Sequence, residues 1–183
     1  MFERFTVDAR QVVVGAQTTA RESGARAIDG RCLLLGLTET AGPAAAALTS
    51  VGLDPAGLAR DLRAQLASGG LDAEALASVG IDLAAVRASA DAVFGQDALD
   101  RAGRAPVKGH IPFTADAKKS LELALREAVR LRTNRIDGAM LLLGTLRGTG
   151  SPAELVLSRA LAEVGSSPSA LRLAVERAAA QAS

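Results

Sequence analysis

The stretch Phe5–Gly36, FTVDARQVVVGAQTTARESGARAIDGRCLLLG, recurs as Phe113–Gly144, FTADAKKSLELALREAVRLRTNRIDGAMLLLG, at a fixed offset of 108. Thirteen of the 32 aligned positions are identical, with no gap. Phe5-Thr6 meets Phe113-Thr114, Asp8-Ala9 meets Asp116-Ala117, and Ala16 and Ala20 meet Ala124 and Ala128. Ile28-Asp29-Gly30 meets Ile136-Asp137-Gly138, and the Leu33–Gly36 run meets Leu141–Gly144. A unit this long that occurs twice points to a pseudo-twofold domain, whereas a solenoid stacks several short repeats.

Inside each copy the apolar spacing is helical. Ala9, Val12, Val13, Ala16 and Ala20 recur three and four apart behind Thr6, an N-cap residue, with Asp8 in the first turn. This predicts a helix to about Ser23, stopped near Gly24. Asp29 can cap a second helix, whose Leu33-Leu34-Leu35 run is apolar most of the way round and therefore buried. Gly42-Pro43 punctuates, and further helices are expected over Ala44–Ser50 and Asp54–Ala67. The second copy follows the same plan. Thr114 and Asp137 are its caps, a third helix spans Pro152–Val164, and Pro168 opens the last. Val164 pairs with Val51 at an offset of 113, so the second copy has gained residues in the Gly-rich stretch Arg147–Ser151.

Between the copies, Val79-Gly80-Ile81-Asp82 echoes Val51-Gly52-Leu53-Asp54 and introduces a helix on which Leu83, Val86, Ala90 and Phe94 share a face. A basic, Pro- and Gly-containing linker runs from Ala102 to Pro112. No stretch alternates with period two. The expected architecture is all-α, with repeat 1 over 1–67, an inserted helical segment and linker over 68–105, and repeat 2 over 106–183.

Composition narrows the function. Hydrophobic residues make up 49% but aromatics only 2%, so the core is Ala, Leu and Val, suited to close helix packing. A net charge of +1 gives no global field for nucleic acid or membranes. The single Cys32 can form no intramolecular disulfide, the first residues form no signal peptide, and no apolar run reaches membrane-spanning length. The expected location is the cytoplasm.

Met1–Thr6 (MFERFT), the Leu33–Leu37 stretch LLLGL, and Gly109–Thr114 (GHIPFT) with Ala117-Lys118-Lys119 together resemble the N-terminal domain of ClpC-type unfoldases. The resemblance covers nearly the whole chain and implies a tandem, pseudo-twofold repeat of a four-helix Clp-N unit. The added Val79–Leu99 segment resembles stand-alone actinobacterial versions of that domain. The sequence contains no Gly-x-x-x-x-Gly-Lys-Ser/Thr phosphate loop, and its one histidine, His110, lies in the linker without a Ser/His/Asp set. Neither unfoldase nor peptidase chemistry is expected, and no cofactor or metal is implied.

Clp N domains work by binding, and the resemblance can be carried over position by position. The family's phosphoarginine pocket uses a Glu from each repeat, since two carboxylates can clasp a guanidinium with charge-assisted hydrogen bonds. Here those positions are Arg31 and Ala139, and the adjoining family His positions are Cys32 and Met140. The resemblance therefore implies loss of phosphoarginine binding, with Asp29 and Asp137 serving as caps and Cys32 and Met140 as packing residues. The family's cyclic-peptide surface fares differently. Its positions correspond to Phe2, Arg10, Val13, Val14 and Gln17 in the first copy and to Phe113, Lys118 and Glu122 in the second, all keeping the family residue type. Two aromatic anchors, an aliphatic floor and a polar rim make a plausible hot spot. Val14 falls off the Ala9/Val12/Ala16/Ala20 core stripe. The competing reading makes Phe2 and Phe113 hydrophobic staples and Val14 an ordinary exposed apolar residue.

Arg126, Arg130, Arg132 and Arg135, with Arg147 nearby, form a basic patch without interleaved aromatics, which reads as a solvated face and not a nucleic-acid site. Two functions remain. One is a non-catalytic module that binds hydrophobic or cyclic peptides, sequestering antibiotics as a decoy for a motor-bearing ClpC. The other is an adaptor or regulator of a Clp ATPase that alters substrate selection.

Overall fold

The computed structural model describes residues 2–67, 73–96 and 111–181. The side chain of Phe2, most of the linker including His110, and residues 68–72 lie outside the described residues.

The described chain is helical. A short 3-10 turn, Phe2–Arg4, precedes α1 (Val7–Glu22), α2 (Gly30–Glu39), α3 (Pro43–Ser50) and α4 (Pro55–Ala67). The inserted segment supplies α5 (Ala73–Ser78) and α6 (Leu83–Phe94). The second copy supplies α7 (Ala115–Arg130), α8 (Gly138–Arg147), α9 (Pro152–Glu163) and α10 (Pro168–Gln181). Among the described residues no single helix is long and apolar enough to cross a membrane.

Each first helix lies across its second at a glycine. A Cβ on Gly36 would come within 2.6 Å of the Val12 carbonyl oxygen, and one on Gly144 within 2.3 Å of that of Ser120. The repeated LLLG run is thus three buried leucines followed by a contact point between backbones. The alanines opposite, Ala9, Ala16 and Ala20 in α1 and Ala117, Ala124 and Ala128 in α7, are buried because only small side chains fit so close an approach.

The two repeats interlock. Phe5 forms a parallel bridge with Ile136, and Ile28 forms one with Phe113. Thr6 N–H donates to Ile136 O at 3.0 Å and Ile136 N–H to Arg4 O at 2.8 Å. On the other side Ile28 N–H donates to Pro112 O at 2.8 Å and Thr114 N–H to Ile28 O at 3.0 Å. The first-turn aspartates complete the exchange. Gly138 N–H donates to Asp8 Oδ2 at 2.8 Å, and Gly30 N–H to Asp116 Oδ2 at 3.0 Å. Each repeat's Asp therefore caps the second helix of the other repeat, where the dipole favours a carboxylate. The glycines at 30 and 138 leave room for it: a Cβ on Gly30 would stand 2.9 Å from Asp116 Oδ2 and one on Gly138 3.1 Å from Asp8 Oδ2.

Three details differ from the sequence reading. Thr6 occupies the N-cap position of α1 but makes no side-chain cap bond; its hydroxyl donates to Asp8 Oδ1 and Ile136 O. It holds the cross-repeat carboxylate in place, whereas Thr114 does cap α7 through Ala117 N–H. Ile111 and Pro112 belong to the interlock and not to a linker, since Ile111 is fully buried and Pro112 accepts from Ile28. The predicted stripe of α6 lies outside the hydrophobic core of the described residues. That helix has no buried residue, and Val86, Val93 and Phe94 are exposed.

The copies also depart from symmetry at their fourth helices. α4 packs chiefly on α2, while α10 packs chiefly on α3 of the first repeat and less on α8. Arginines reinforce α10: Arg172 Nη1 approaches Glu127 Oε2 of α7 at 3.3 Å, and Arg130 Nη2 reaches Glu176 Oε1 of α10 at 2.5 Å.

Candidate functional site

Arg10, Val13, Val14 and Gln17 follow the i, i+3, i+4, i+7 spacing and form one stripe along the flank of α1. The core takes the neighbouring stripe of Ala9, Val12, Ala16 and Ala20. Arg10 is exposed and Gln17 half-buried. Val13 packs partly against the core, and Val14 is 62% exposed. Val12, Val13 and Val14 thus grade from core to surface within one helical turn.

At the repeat offset of 108, Arg10 corresponds to Lys118 and Val14 to Glu122. Lys118 and Glu122 are exposed on α7, one turn apart. Glu122 is flanked by Lys119 Nζ at 3.5 Å and by Arg126, so this stripe is a charged rim where the first is aliphatic. Phe113 stands at the foot of α7, half-buried, with its backbone bridged to Ile28 and its side chain against the core. Phe113 therefore helps anchor the fold while remaining only half-buried. The structure places the two stripes at positions related by the pseudo-twofold and fixes Phe113 between the repeats; the side chain of Phe2 is outside the described residues.

At the start of α2, Asp29 accepts from the N–H groups of Arg31 at 2.9 Å and Cys32 at 3.1 Å, and pairs with the Arg31 guanidinium at 2.6 Å. Asp137 accepts from Met140 N–H at 3.0 Å. Burial, reinforced by the Asp8 carboxylate, pushes the Asp137 carboxyl above its ordinary value. Ala139 and Met140 are buried. Cys32 is buried as well, and burial together with Asp29 pushes its thiol up to about 12, leaving it an inert packing group.

Sequence reasoning missed Glu127. Its side chain is 1% exposed, and three guanidinium groups converge on it: Arg130 at 2.8 Å, Arg147 at 2.8 Å and Arg172 at 3.3 Å. Burial alone would raise this carboxyl, but the hydrogen bonds from Arg130 and Arg147 and the charge of Arg172 outweigh it, and the group sits below its ordinary value. The Glu127–Arg130 spacing of three was visible in sequence, but Arg172 lies 45 residues on and gave no local signal. Much of the basic patch is thereby committed to ion pairs within the molecule. Among the described residues no group of three or more His, Cys, Asp or Glu side chains is placed to hold a metal ion.

The family model for the Clp repeat N-terminal domain matches residues 4–70 and 66–160. This chain belongs to the Clp repeat N-terminal domain family. The Clp N domain is similar to the chloroplastic chaperone protein ClpC2 of Oryza sativa subsp. japonica, 34% identical over 178 residues. That match covers 97% of this chain and 15% of the relative. Chloroplastic ClpC1 of Arabidopsis thaliana matches equally, at 34% over 97% of this chain and 15% of its own length. The Clp N domain thus spans about one seventh of these relatives. Among solved structures, the Hsp104 N-terminal domain from Candida albicans has the same fold with a TM-score of 0.60 at 12% identity, covering 93% of this chain and 88% of that one. The N-terminal domain of ClpD from Arabidopsis thaliana has a TM-score of 0.51 at 19% identity, covering 96% of each. These two likenesses concern the fold alone.

Proposed function

We propose that this Clp N domain is a non-catalytic binding module for hydrophobic or cyclic peptides, and that it holds its ligand in the manner of a decoy that sequesters antibiotic peptides. The observation that carries this reading is the exposed aliphatic stripe on α1, with Val14 outward and off the core, faced in the repeat symmetry by the charged pair Lys118 and Glu122. Apolar anchors ringed by polar side chains are the usual make-up of a binding hot spot. Phe113 supplies an aromatic anchor on a rigid support, and Phe2 is proposed as the second.

Phosphoarginine is not proposed as a ligand. The Asp29 carboxylate is already engaged by the Arg31 guanidinium and so is not free to clasp an entering one, and Ala139 offers no carboxylate. The second reading is an adaptor or regulator of a Clp ATPase. It is favoured by the names of similar proteins, one of which is the ATP-binding subunit of an ATP-dependent Clp protease in Brassica napus.

Binding of a cyclic-peptide antibiotic of the ClpC-directed class is the test, with Val14→Asp and Phe2→Ala as variants. Val14 is exposed, so its substitution leaves the fold intact. Each variant is expected to lose on the order of 30-fold in affinity, equivalent to about 2 kcal/mol. Unchanged affinity in both removes the α1 stripe from the site and favours the adaptor reading.

A further inference from the structure

The outward side of α1 carries more than the stripe around Val14. Val7 opens the helix and is 72% exposed, more than Val14 itself. Seven residues are close to two full turns, so Val7 and Val14 lie on one line along the helix, about 10 Å apart. Arg10 and Gln11 stand between them, both exposed. Among the described residues Arg10 makes no ion pair. Asp8 is the one acidic residue of α1 before Glu22, and its carboxylate is turned to the other repeat, accepting from Gly138 N–H and the Thr6 hydroxyl.

The matching face of α7 is built the other way. Ala115, Lys118 and Glu122 stand where Val7, Arg10 and Val14 do. Glu122 gives that face an anion of its own, held between Lys119 and Arg126. The face of α7 thus answers its charges internally. The face of α1 sets a lone cation between two exposed valines and offers no carboxylate to meet it. Core packing asks for neither valine, since Ala9, Val12, Ala16 and Ala20 already fill the buried side of the helix.

We propose that the α1 face takes an acidic, amphipathic helical segment of a partner protein, with apolar side chains meeting Val7 and Val14 and a carboxylate between them pairing with Arg10. This rests on the peptide-binding reading above and names the kind of peptide. Geometry selects the helix. The spacing of Val7 and Val14 is that of residues i and i+7 on a second helix laid along the first. In an extended segment, at about 3.3 Å per residue, side chains three apart would match the distance but point to opposite faces. Charge selects the acidic residue. A guanidinium stays protonated and presents a planar fork that fits a carboxylate, and a basic segment would find no anion on this face. Val7 becomes a ligand contact that the resemblance did not supply, and Arg10 the residue that sorts ligands by charge.

Fluorescence polarisation on the full chain tests it with two hydrocarbon-stapled helical peptides. Both carry Leu at positions i and i+7; one has Glu at i+3 and i+4, the other Lys. The Glu peptide should bind at least about tenfold tighter than the Lys peptide, and Arg10→Glu should invert that preference. Val7→Asp should weaken the Glu peptide about tenfold. Val7 and Arg10 are exposed, so neither change disturbs the core. Equal binding of the two peptides, a preference that survives Arg10→Glu, or a Val7→Asp protein that binds unchanged overturns the proposal. Titration of the Val14→Asp variant with a cyclic peptide separates the two levels of the account. If Val14→Asp weakens the cyclic peptide while the stapled peptides bind alike or not at all, the acidic-helix assignment alone falls. If neither kind of ligand binds the unaltered chain, the peptide-binding reading falls with it.

Discussion

Gly144 marks the closest helix crossing among the described glycines, and its neighbour there is backbone, the Ser120 carbonyl oxygen. Backbone cannot swing aside as a side chain can, so a methyl group at this point forces the two helices apart. Gly144→Ala is expected to cost about 3 kcal/mol or more, Gly30→Ala about 1–2 kcal/mol because Asp116 can partly yield, and Gly52→Ala about 1 kcal/mol through its left-handed φ of 84° alone, since nothing stands within 4 Å. Denaturant midpoints should follow that order, and a Gly144→Ala protein as stable as Gly52→Ala contradicts the crossing described. Glu127 makes a second residue-scale prediction. Its folded pKa lies below the ordinary 4.5, so it adds stability above pH 4.5 that is lost as pH falls through the lower folded value. Asp137 acts with the opposite sign: raised above 3.8, it favours the fold below pH 3.8, and that contribution fades as pH rises through the raised value. Glu127→Gln should flatten the fall in Tm below about pH 4.5 and cost about 3 kcal/mol at pH 7, where the surrounding arginines lose their counter-charge. A Tm–pH profile as steep as that of the unaltered chain would mean the buried carboxylate does not carry the acid sensitivity.

At the scale of elements, the helices were largely legible and the links between repeats were not. The spacing of Ala9, Val12, Ala16 and Ala20 and the cap at Asp29 lie within one turn or one helix, so periodicity and local hydrogen-bond chemistry expose them. The role of Asp8 is different, because its partner Gly138 is 130 residues away and no local pattern connects them. Asp8 and Asp116 read as ordinary first-turn carboxylates, and Thr6 as an ordinary cap, until the other repeat is in view. The same limit hid Glu127. The amphipathic stripe of α6 was visible, but not that none of its residues would join the core. The crossed caps predict coupling between repeats. Asp8→Ala and Asp116→Ala should each cost about 1–2 kcal/mol. Because each cap helps seat the opposite repeat, the double variant should depart from additivity by about 0.5 kcal/mol or more in a double-mutant cycle. Strict additivity would mean the two caps act independently.

At the scale of the whole molecule, duplication built the scaffold and departures from it mark the places where the copies no longer do the same thing. The core alanines, the LLLG crossings and the Ile-Asp-Gly turns are kept in both halves because the interlock uses each of them twice. The outward stripes are not kept alike: Val14 faces solvent in one copy where Glu122 does in the other, and nothing in the core requires either. The candidate surface was legible as residues, through the resemblance and through the misfit of Val14 with the core stripe. Its shape was not, since that depends on how the repeats dock. Calorimetric titration with a cyclic-peptide antibiotic of the ClpC-directed class tests the central claim most directly. Submicromolar, one-to-one binding that Val14→Asp weakens is expected, and absence of binding at tens of micromolar peptide would contradict a peptide-holding function for this surface.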